Sequence, residues 1–334
     1  MQNIVITVRR AVKEDIPNIM HFMDEHWKPG NILAKNRDFF EWQFMDNNKL
    51  NMFLGIDDKC HKIYGIMGAI VYSQNKQPDI SGCTWQVIKS KNPRLGLDIS
   101  VFMEKELNCR YNRGTSLSDK AVKLHKLLGY NVGSMEHYYR LADRSSYKIA
   151  KIKNKIIPKA EETGYSLEHI HSIEEMKQII SEEELAKQLL CKDYSYIRKR
   201  YFEHPIYHYD IWKIVDPKDI SRSVLITRDE RMEDTIICKI IDHYGRMEDL
   251  GKITKVIDRL MEERGYEFVD IYSYGIPVGI YEQAGFCCCG EDCENIIPNF
   301  FHPFVQENIT LKLVDEPLEN LRLFRGDGDQ DRPC

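Results

Sequence analysis

Two short stretches concentrate residue types that bind metals. Cys287, Cys288, Cys289 and Cys293 bring four thiols together. Successive side chains on a strand point to opposite faces, so three adjacent thiols cannot turn to one ion. No Cys-x-x-Cys pair faces a second pair, as a structural zinc site needs. The expected role is small buried side chains, with no metal. The run Arg325-Gly326-Asp327-Gly328-Asp329-Gln330-Asp331-Arg332 is like the opening of a calcium loop. That loop takes ~12 residues, a late bidentate glutamate and a following helix, and the sequence reaches Cys334 first. What remains is a polar end, expected to be disordered, or carboxylates folded back toward sugar hydroxyls.

Any such site needs a scaffold. The chain has 334 residues, 43% hydrophobic and 30% charged. At ~150 residues per domain it holds about two packed domains. The net charge of -5 supplies no basic excess for a phosphate backbone, so nucleic acid is not an expected partner. No apolar run approaches the ~20 residues of a membrane span. The best run, 66–72, is strand-sized, and the N-terminus lacks the layout of a signal peptide. A cytoplasmic location is expected, with the ten cysteines reduced.

Periodicity gives the elements. The first half reads as strand 4–9, helix 13–27 and helix 38–44. Strands 50–56, 62–73 and 83–89, helix 94–107, strand 111–115, helix 118–128 and strand 132–140 follow. A polar, Lys-rich stretch at 143–162 reads as a linker. The second half repeats much of that order. It has helices 174–190 and 194–202, strands 207–215, 223–228 and 235–242, and helix 251–264. Strand 268–272, helix 278–284 and strands near 286 and 309–313 complete it. The expected fold class is α/β (α+β). Two tandem units, 1–142 and 163–314, each carry a mixed, largely antiparallel sheet flanked by helices, and a polar tail spans 315–334.

Ala121-Val122-Lys123-Leu124-His125-Lys126-Leu127-Leu128-Gly129-Tyr130 is echoed by Gly279-Ile280-Tyr281-Glu282-Gln283-Ala284-Gly285-Phe286. Each follows a strand and precedes another. Both segments resemble the fourth helix of the GNAT (Gcn5-related N-acetyltransferase) superfamily, A-x-x-L-Y-x-x-x-G-F. The resemblance covers 4–141 and 163–314, a tandem arrangement. His26-Trp27-Lys28, Phe39-Phe40-Glu41-Trp42-Gln43-Phe44, the stretch 296–304 and the tail 327–333 further resemble acyltransferase-like proteins of bacterial surface-polysaccharide biosynthesis clusters.

The resemblance implies acetyl-CoA as co-substrate. Its pyrophosphate would lie where a loop enters a helix, because a helix N-terminus offers unpaired N–H groups and partial positive charge. The family pattern there, Q/R-x-x-G-x-G/A, corresponds to Asn92-Pro93-Arg94-Leu95-Gly96-Leu97-Asp98, with one glycine and a displaced arginine. Arg94, Leu95, Gly96, Leu97 and Asp98 are the expected phosphate grip, joined by Ser118 at the start of the fourth helix. The strand backbone at Gln86, Val87 and Ile88 would polarise the thioester carbonyl. The alternative is a plain strand-to-helix turn. In the second half Glu248 and Asp249 stand where phosphate would approach, so that half is expected to be a degenerate CoA site. His125 fills the position of the family's thiolate-protonating tyrosine and is the expected acid; the alternative is a surface helix histidine between Lys123 and Lys126. Tyr281, its counterpart, is expected as a packed aromatic or part of an acceptor pocket. Candidate bases are His26, Glu41 and Glu25, with a water relay an equal alternative. Trp27 and Trp42 would line a sugar-sized pocket or belong to the core.

These expectations combine into an acyl-CoA-dependent N-acetyltransferase acting on a small-molecule amine, such as an amino sugar or a nucleotide-linked amino sugar of glycan biosynthesis. The alternatives are a non-catalytic GNAT-like scaffold and a tRNA-dependent aminoacyltransferase.

Overall fold

A computed structural model describes residues 5–315, 321–328 and 331–333. The chain divides into two compact units, 1–114 with 332–334, and 115–331.

The first unit contains β1 (Thr7–Arg10), α1 (Ile16–Phe22), α2 (Arg37–Phe44), β2 (Met52–Asp57), β3 (Lys62–Val71), β4 (Asp79–Val87), α3 (Leu95–Leu107) and β5 (Tyr111–Asn112). The sheet order is β1-β2-β3-β4-β5, antiparallel except for the parallel pair β4/β5. The middle strands are nearly continuous apolar runs because both faces are covered. Met52, Leu54 and Ile56 alternate onto the face shared with Ile16 and Ile19 of α1 and Phe40 and Phe44 of α2. Phe53 and Met67 join Leu95, Ile99 and Met103 of α3 on the other face. Those three α3 residues, four apart, form one stripe. The helix sits close on the sheet. A Cβ at Gly55 would lie 2.6 Å from Leu95 Cδ1, and one at Gly65 2.8 Å from Ile99 Cδ1.

The second unit contains α4 (Asp119–Leu127), β6 (Asn131–Ser134), β7 (Glu136–Leu141), β8 (Ser166–His169), β9 (Asp210–Val215), β10 (Ser221–Met232), β11 (Thr235–Gly245) and α5 (Thr254–Arg264). After these come β12 (Tyr266–Tyr274), α6 (Val278–Gln283), β13 (Cys287–Cys288), β14 (Lys312–Asp315) and β15 (Leu323–Phe324). The main sheet runs β8-β9-β10-β11-β12-β7-β13, with β15 also on β12. Its strands β11 and β12 are parallel. Ile253, Ile257 and Met261 close one face over Cys238, Ile240, Val269 and Ile271. The other face holds Ile237, Phe268, Tyr139, Leu141 and Ile297.

The fold class read from the sequence holds; several boundaries differ. The single strand at 132–140 is two. Met135 donates its N–H to Leu311 O at 2.8 Å. Before it β6 pairs with β14, and after it β7 enters the main sheet between β12 and β13. The compact units accordingly divide between Gly114 and Thr115, not at 142. The stretch 143–162 is not a free linker. Ile149 and Ala150 are buried, and the Glu267 carboxylate accepts the N–H groups of Lys148, Ile149 and Ala150 at 2.6, 2.8 and 2.7 Å. The helix at 174–190 is two short ones, Ile173–Lys177 and Glu182–Lys187, because Ser181 and Glu184 form a capping box that starts a new helix. The tail is not disordered where it is described: Arg325, Asp327 and Asp331 are buried.

Candidate functional site

In the first unit, β4 pairs with β5 only at Asp79–Tyr111 and Ile80–Asn112. Gly82 N–H then donates to the Asn112 side chain at 3.0 Å. Past that point no strand of the first unit pairs with this edge of β4 among the described residues. The β3/β4 register shifts between Ile66 and Gly68. Buried Thr84 takes a left-handed backbone there, with φ 49°, a strained conformation for a β-branched residue. The bulge re-aims the end of the strand. Ile88 N–H donates to Tyr64 O at 2.9 Å, and Gln86 stands opposite Ile66. By the alternation of an antiparallel ladder, Val87 is then the residue whose amide faces away from β3. Its carbonyl accepts the Gln86 side-chain amide at 3.3 Å. Of the three expected carbonyl-polarising residues, Val87 alone points outward.

The loop into α3 is ordered by Asn92. Its Oδ1 accepts Arg94 N–H at 2.9 Å, its carbonyl accepts Leu95 N–H at 3.3 Å, and its Nδ2 donates to Asp98 Oδ2 at 2.7 Å. Asp98 N–H returns to Arg94 O at 3.0 Å. Arg94, Leu95 and Asp98 therefore have their amides engaged. Gly96 and Leu97 have no acceptor among the described residues, as the first turn of a helix leaves them. Around this turn Lys89, Lys91 and Arg94 are exposed and form no ion pair among the described residues. Trp85 lies over Gly96; a Cβ there would come 3.3 Å from its indole. The arrangement can accept a polyanion: two open amides at a helix dipole's positive end, with three cations around them.

The other residues singled out from the sequence are dispersed. In the first unit His26 sits on the π-helical turn Met23–Trp27, its ring edge-on to Phe22 at 4.9 Å and its Nε2 3.5 Å from Glu25. Glu41 is bound by Arg37 at 2.7 Å and Lys13 at 3.1 Å. These hydrogen bonds hold its carboxyl below the usual range, making it a poorer base. Trp27 carries the Arg332 guanidinium 5.1 Å over its ring, and Trp42 stacks on Phe39 at 5.3 Å. Both indoles pack against the core. Ser118, His125 and Tyr281 belong to the second unit. Ser118 caps α4, accepting Ala121 N–H at 3.3 Å. His125 is half-buried, with its ring edge-on to Tyr130 at 5.7 Å. Tyr281 is 1% exposed, stacked 3.8 Å from Tyr138 and hydrogen-bonded to the Ser273 hydroxyl. Burial pushes its hydroxyl pKa up. It is a packing residue, not the wall of an open pocket.

Sequence reasoning missed what fills the second unit. Strands β11 and β12 stay paired from Ile236–Tyr266 to Ile240–Ile271 and then part. The chain's own tail enters the gap. Leu323 and Phe324 pair with Tyr274 and Ser273; Arg325 N–H donates to Tyr272 O at 3.1 Å, and Gly326 N–H to Ile241 O at 2.8 Å. A Cβ at Gly326 would collide with the Tyr201 hydroxyl. Three charges anchor the segment. Arg325 grips Asp270 at 2.9 and 2.6 Å, and Asp270 also meets His137 Nε2 at 3.0 Å. Asp327 meets Lys192 at 2.8 Å; Lys192 reaches Asp242 at 2.7 Å, which accepts the Tyr201 and Tyr244 hydroxyls at 2.7 and 2.8 Å. Asp331 meets Arg228 at 2.7 Å, Arg200 at 3.7 Å and Tyr209 Oη at 2.7 Å.

Against the upward push of burial, Arg325 and His137 draw the Asp270 carboxyl well below the usual range, and Arg228 and Arg200 do the same to Asp331. Asp327 goes the other way, to about 6, because burial and neighbouring Asp242 outweigh Lys192. At the helix start beyond β11, buried Asp249 accepts the Ser223 hydroxyl at 2.8 Å. The signal available in the sequence was the set of charges Arg228, Asp242 and Asp270 inside otherwise apolar strands, which require buried partners of opposite sign. Among the described residues the cysteines are free, no group of three or more His, Cys, Asp or Glu is placed to hold a metal ion, and no helix is long and apolar enough to cross a membrane.

No family model and no curated protein matches the sequence. Solved structures do match the fold. A GCN5-related N-acetyltransferase from Anabaena variabilis superposes with a TM-score of 0.56 at 11% identity, over 92% of this chain and 72% of that one. A conserved protein of unknown function from Enterococcus faecalis superposes with a TM-score of 0.57 at 7% identity, over the same shares of the two chains, 92% and 72%. The chain has the fold of the GCN5-related N-acetyltransferases.

Proposed function

We propose that the chain is an acyl-CoA-dependent N-acyltransferase, with acetyl the acyl group favoured by the sequence, and that the first unit holds the CoA. The observation that carries this reading is the start of α3. The amides of Gly96 and Leu97 lack acceptors, three exposed cations surround them, and the outward amide of Val87 lies at the end of the strand leading into this loop. A diphosphate would take the two amides, and the thioester would run along the unpaired edge of β4, its carbonyl oxygen accepting the Val87 N–H. A free amine attacks that carbonyl, the tetrahedral intermediate collapses, and the thiolate leaves with a proton. His26 is the proposed base within this unit, ahead of Glu41, which is tied to two cations. A small amine is the proposed acceptor, an amino sugar of glycan biosynthesis by resemblance. The filled gap of the second unit supports one CoA per chain. Calorimetric titration with acetyl-CoA, paired with a thiol-release assay over a panel of amines, tests the reading. It expects one saturable site; no heat and no thiol release with any amine overturns it.

A further inference from the structure

Where the tail enters the gap of the second unit there is a cleft of about 450 Å³, lined by Ser134, Glu136, Tyr274, Pro277, Leu321 and Arg322, with the backbone of Gly275 and Ile276. Its two charges do not meet. Neither Glu136 nor Arg322 has a hydrogen bond or ion pair to any described residue, although they share one wall-to-wall space. One carboxylate oxygen, Glu136 Oε2, is shut off from solvent with no donor facing it. Buried polar atoms of this kind almost always have a partner, so the Glu136 carboxylate is left uncompensated by the protein beside the cleft. Burial alone raises the Glu136 carboxyl pKa, as it must for an acid that no cation supports. Arg322 supplies a planar donor fork suited to a carboxylate or phosphate.

We infer that this cleft binds a small molecule carrying both an amino group, donated to Glu136, and an anionic group, held by Arg322. Two sources share that chemistry, a free α-amino acid and a phosphorylated amino sugar. Binding there needs no thioester and does not rest on the proposed acyl transfer. Because Leu321 and Arg322 belong to the tail, an occupant would also fasten the segment that fills the gap.

The test is titration of the full-length chain, by calorimetry and saturation-transfer NMR, with glycine, L-glutamate and glucosamine 6-phosphate at up to ~10 mM. Ethanolamine lacks the anion; N-acetylglycine and glucose 6-phosphate lack the amine. At least one bifunctional compound should saturate, with the controls weaker by about tenfold or more, and the stronger class names the source. Glu136→Gln should erase the preference over the amine-free controls, and Arg322→Met the preference over ethanolamine, in variants shown by melting to be folded. If no bifunctional compound saturates the wild-type chain, or if both folded variants bind as it does, the inference is overturned. Should either variant fail to fold, discrimination by the wild-type chain decides.

Discussion

The carboxyl ends of two parallel strand pairs, β4/β5 and β11/β12, share one geometry and have opposite contents. Where parallel strands part, main-chain groups lose their partners and must find others. In β4/β5 the outward amide of Val87 and the helix-start amides of Gly96 and Leu97 have no acceptor among the described residues, and Lys89, Lys91 and Arg94 are exposed nearby. In β11/β12 residues 323–326 supply the missing main-chain partners, and Arg325, Asp327 and Asp331 each find a buried counter-charge. Buried ion pairs add little net stability over an apolar filling of the same shape. What they add here is register, since a one-residue slip of the tail would separate all three charges from their partners. The second gap is filled by the chain's own tail; a ligand in the first is the proposal made above.

The largest effect should come from breaking the anchor. Asp270→Ala leaves Arg325 buried without its partner and should cost about 3–5 kcal/mol in urea unfolding. A cost within error of zero would mean that the tail does not belong to the second unit's core. Next is pH. The Asp327 carboxyl sits at about 6 when folded, above its ordinary value of ~3.9 in an unfolded chain. The folded chain holds that proton more tightly. The contribution is full below pH ~4 and is lost as pH rises through about 6, up to ~3 kcal/mol in all. Asp270 and Asp331, with depressed values, act with the opposite sign, losing their contribution only as pH falls below ~4. Asp327→Asn should thus flatten the stability profile between pH ~4 and ~6 and leave the acid limb intact. Gly326→Ala forces a methyl onto the Tyr201 hydroxyl and should cost about 1–3 kcal/mol, again read by urea unfolding.

How far the sequence could reach follows from these two regions. The α3 stripe of Leu95, Ile99 and Met103 and the apolar runs of β2, β3, β11 and β12 are local patterns, and they were legible. So was the junction at 92–98, because one loop and one helix start are contiguous in the chain. Alternation says which face a side chain takes but not which strand lies alongside, so nothing marked Met135 as the point where one expected strand changes sheets. The tail failed for a different reason. Arg325-Gly326-Asp327-Gly328 has the composition of a solvated end, and the partners of the tail charges, Asp270, Lys192 and Arg228, are remote in sequence. The bulge at Thr84, which re-aims β4, carries no residue signature at all.

The smallest expected effect bears on the open gap. Gly96→Glu would set a carboxylate over the two free amides and among Lys89, Lys91 and Arg94, which it would partly neutralise. Acetyl-CoA affinity should fall about tenfold, ~1.4 kcal/mol, in calorimetry. Gly96→Ala is the steric control, because its methyl needs only a few tenths of an ångström from Trp85 and brings no charge. Wild-type binding should also weaken with added salt, as the three cations are exposed and screened. If Gly96→Glu and Gly96→Ala bind alike while Asp327→Asn loses the ligand, the CoA belongs to the other gap and the contrast between the two units is reversed.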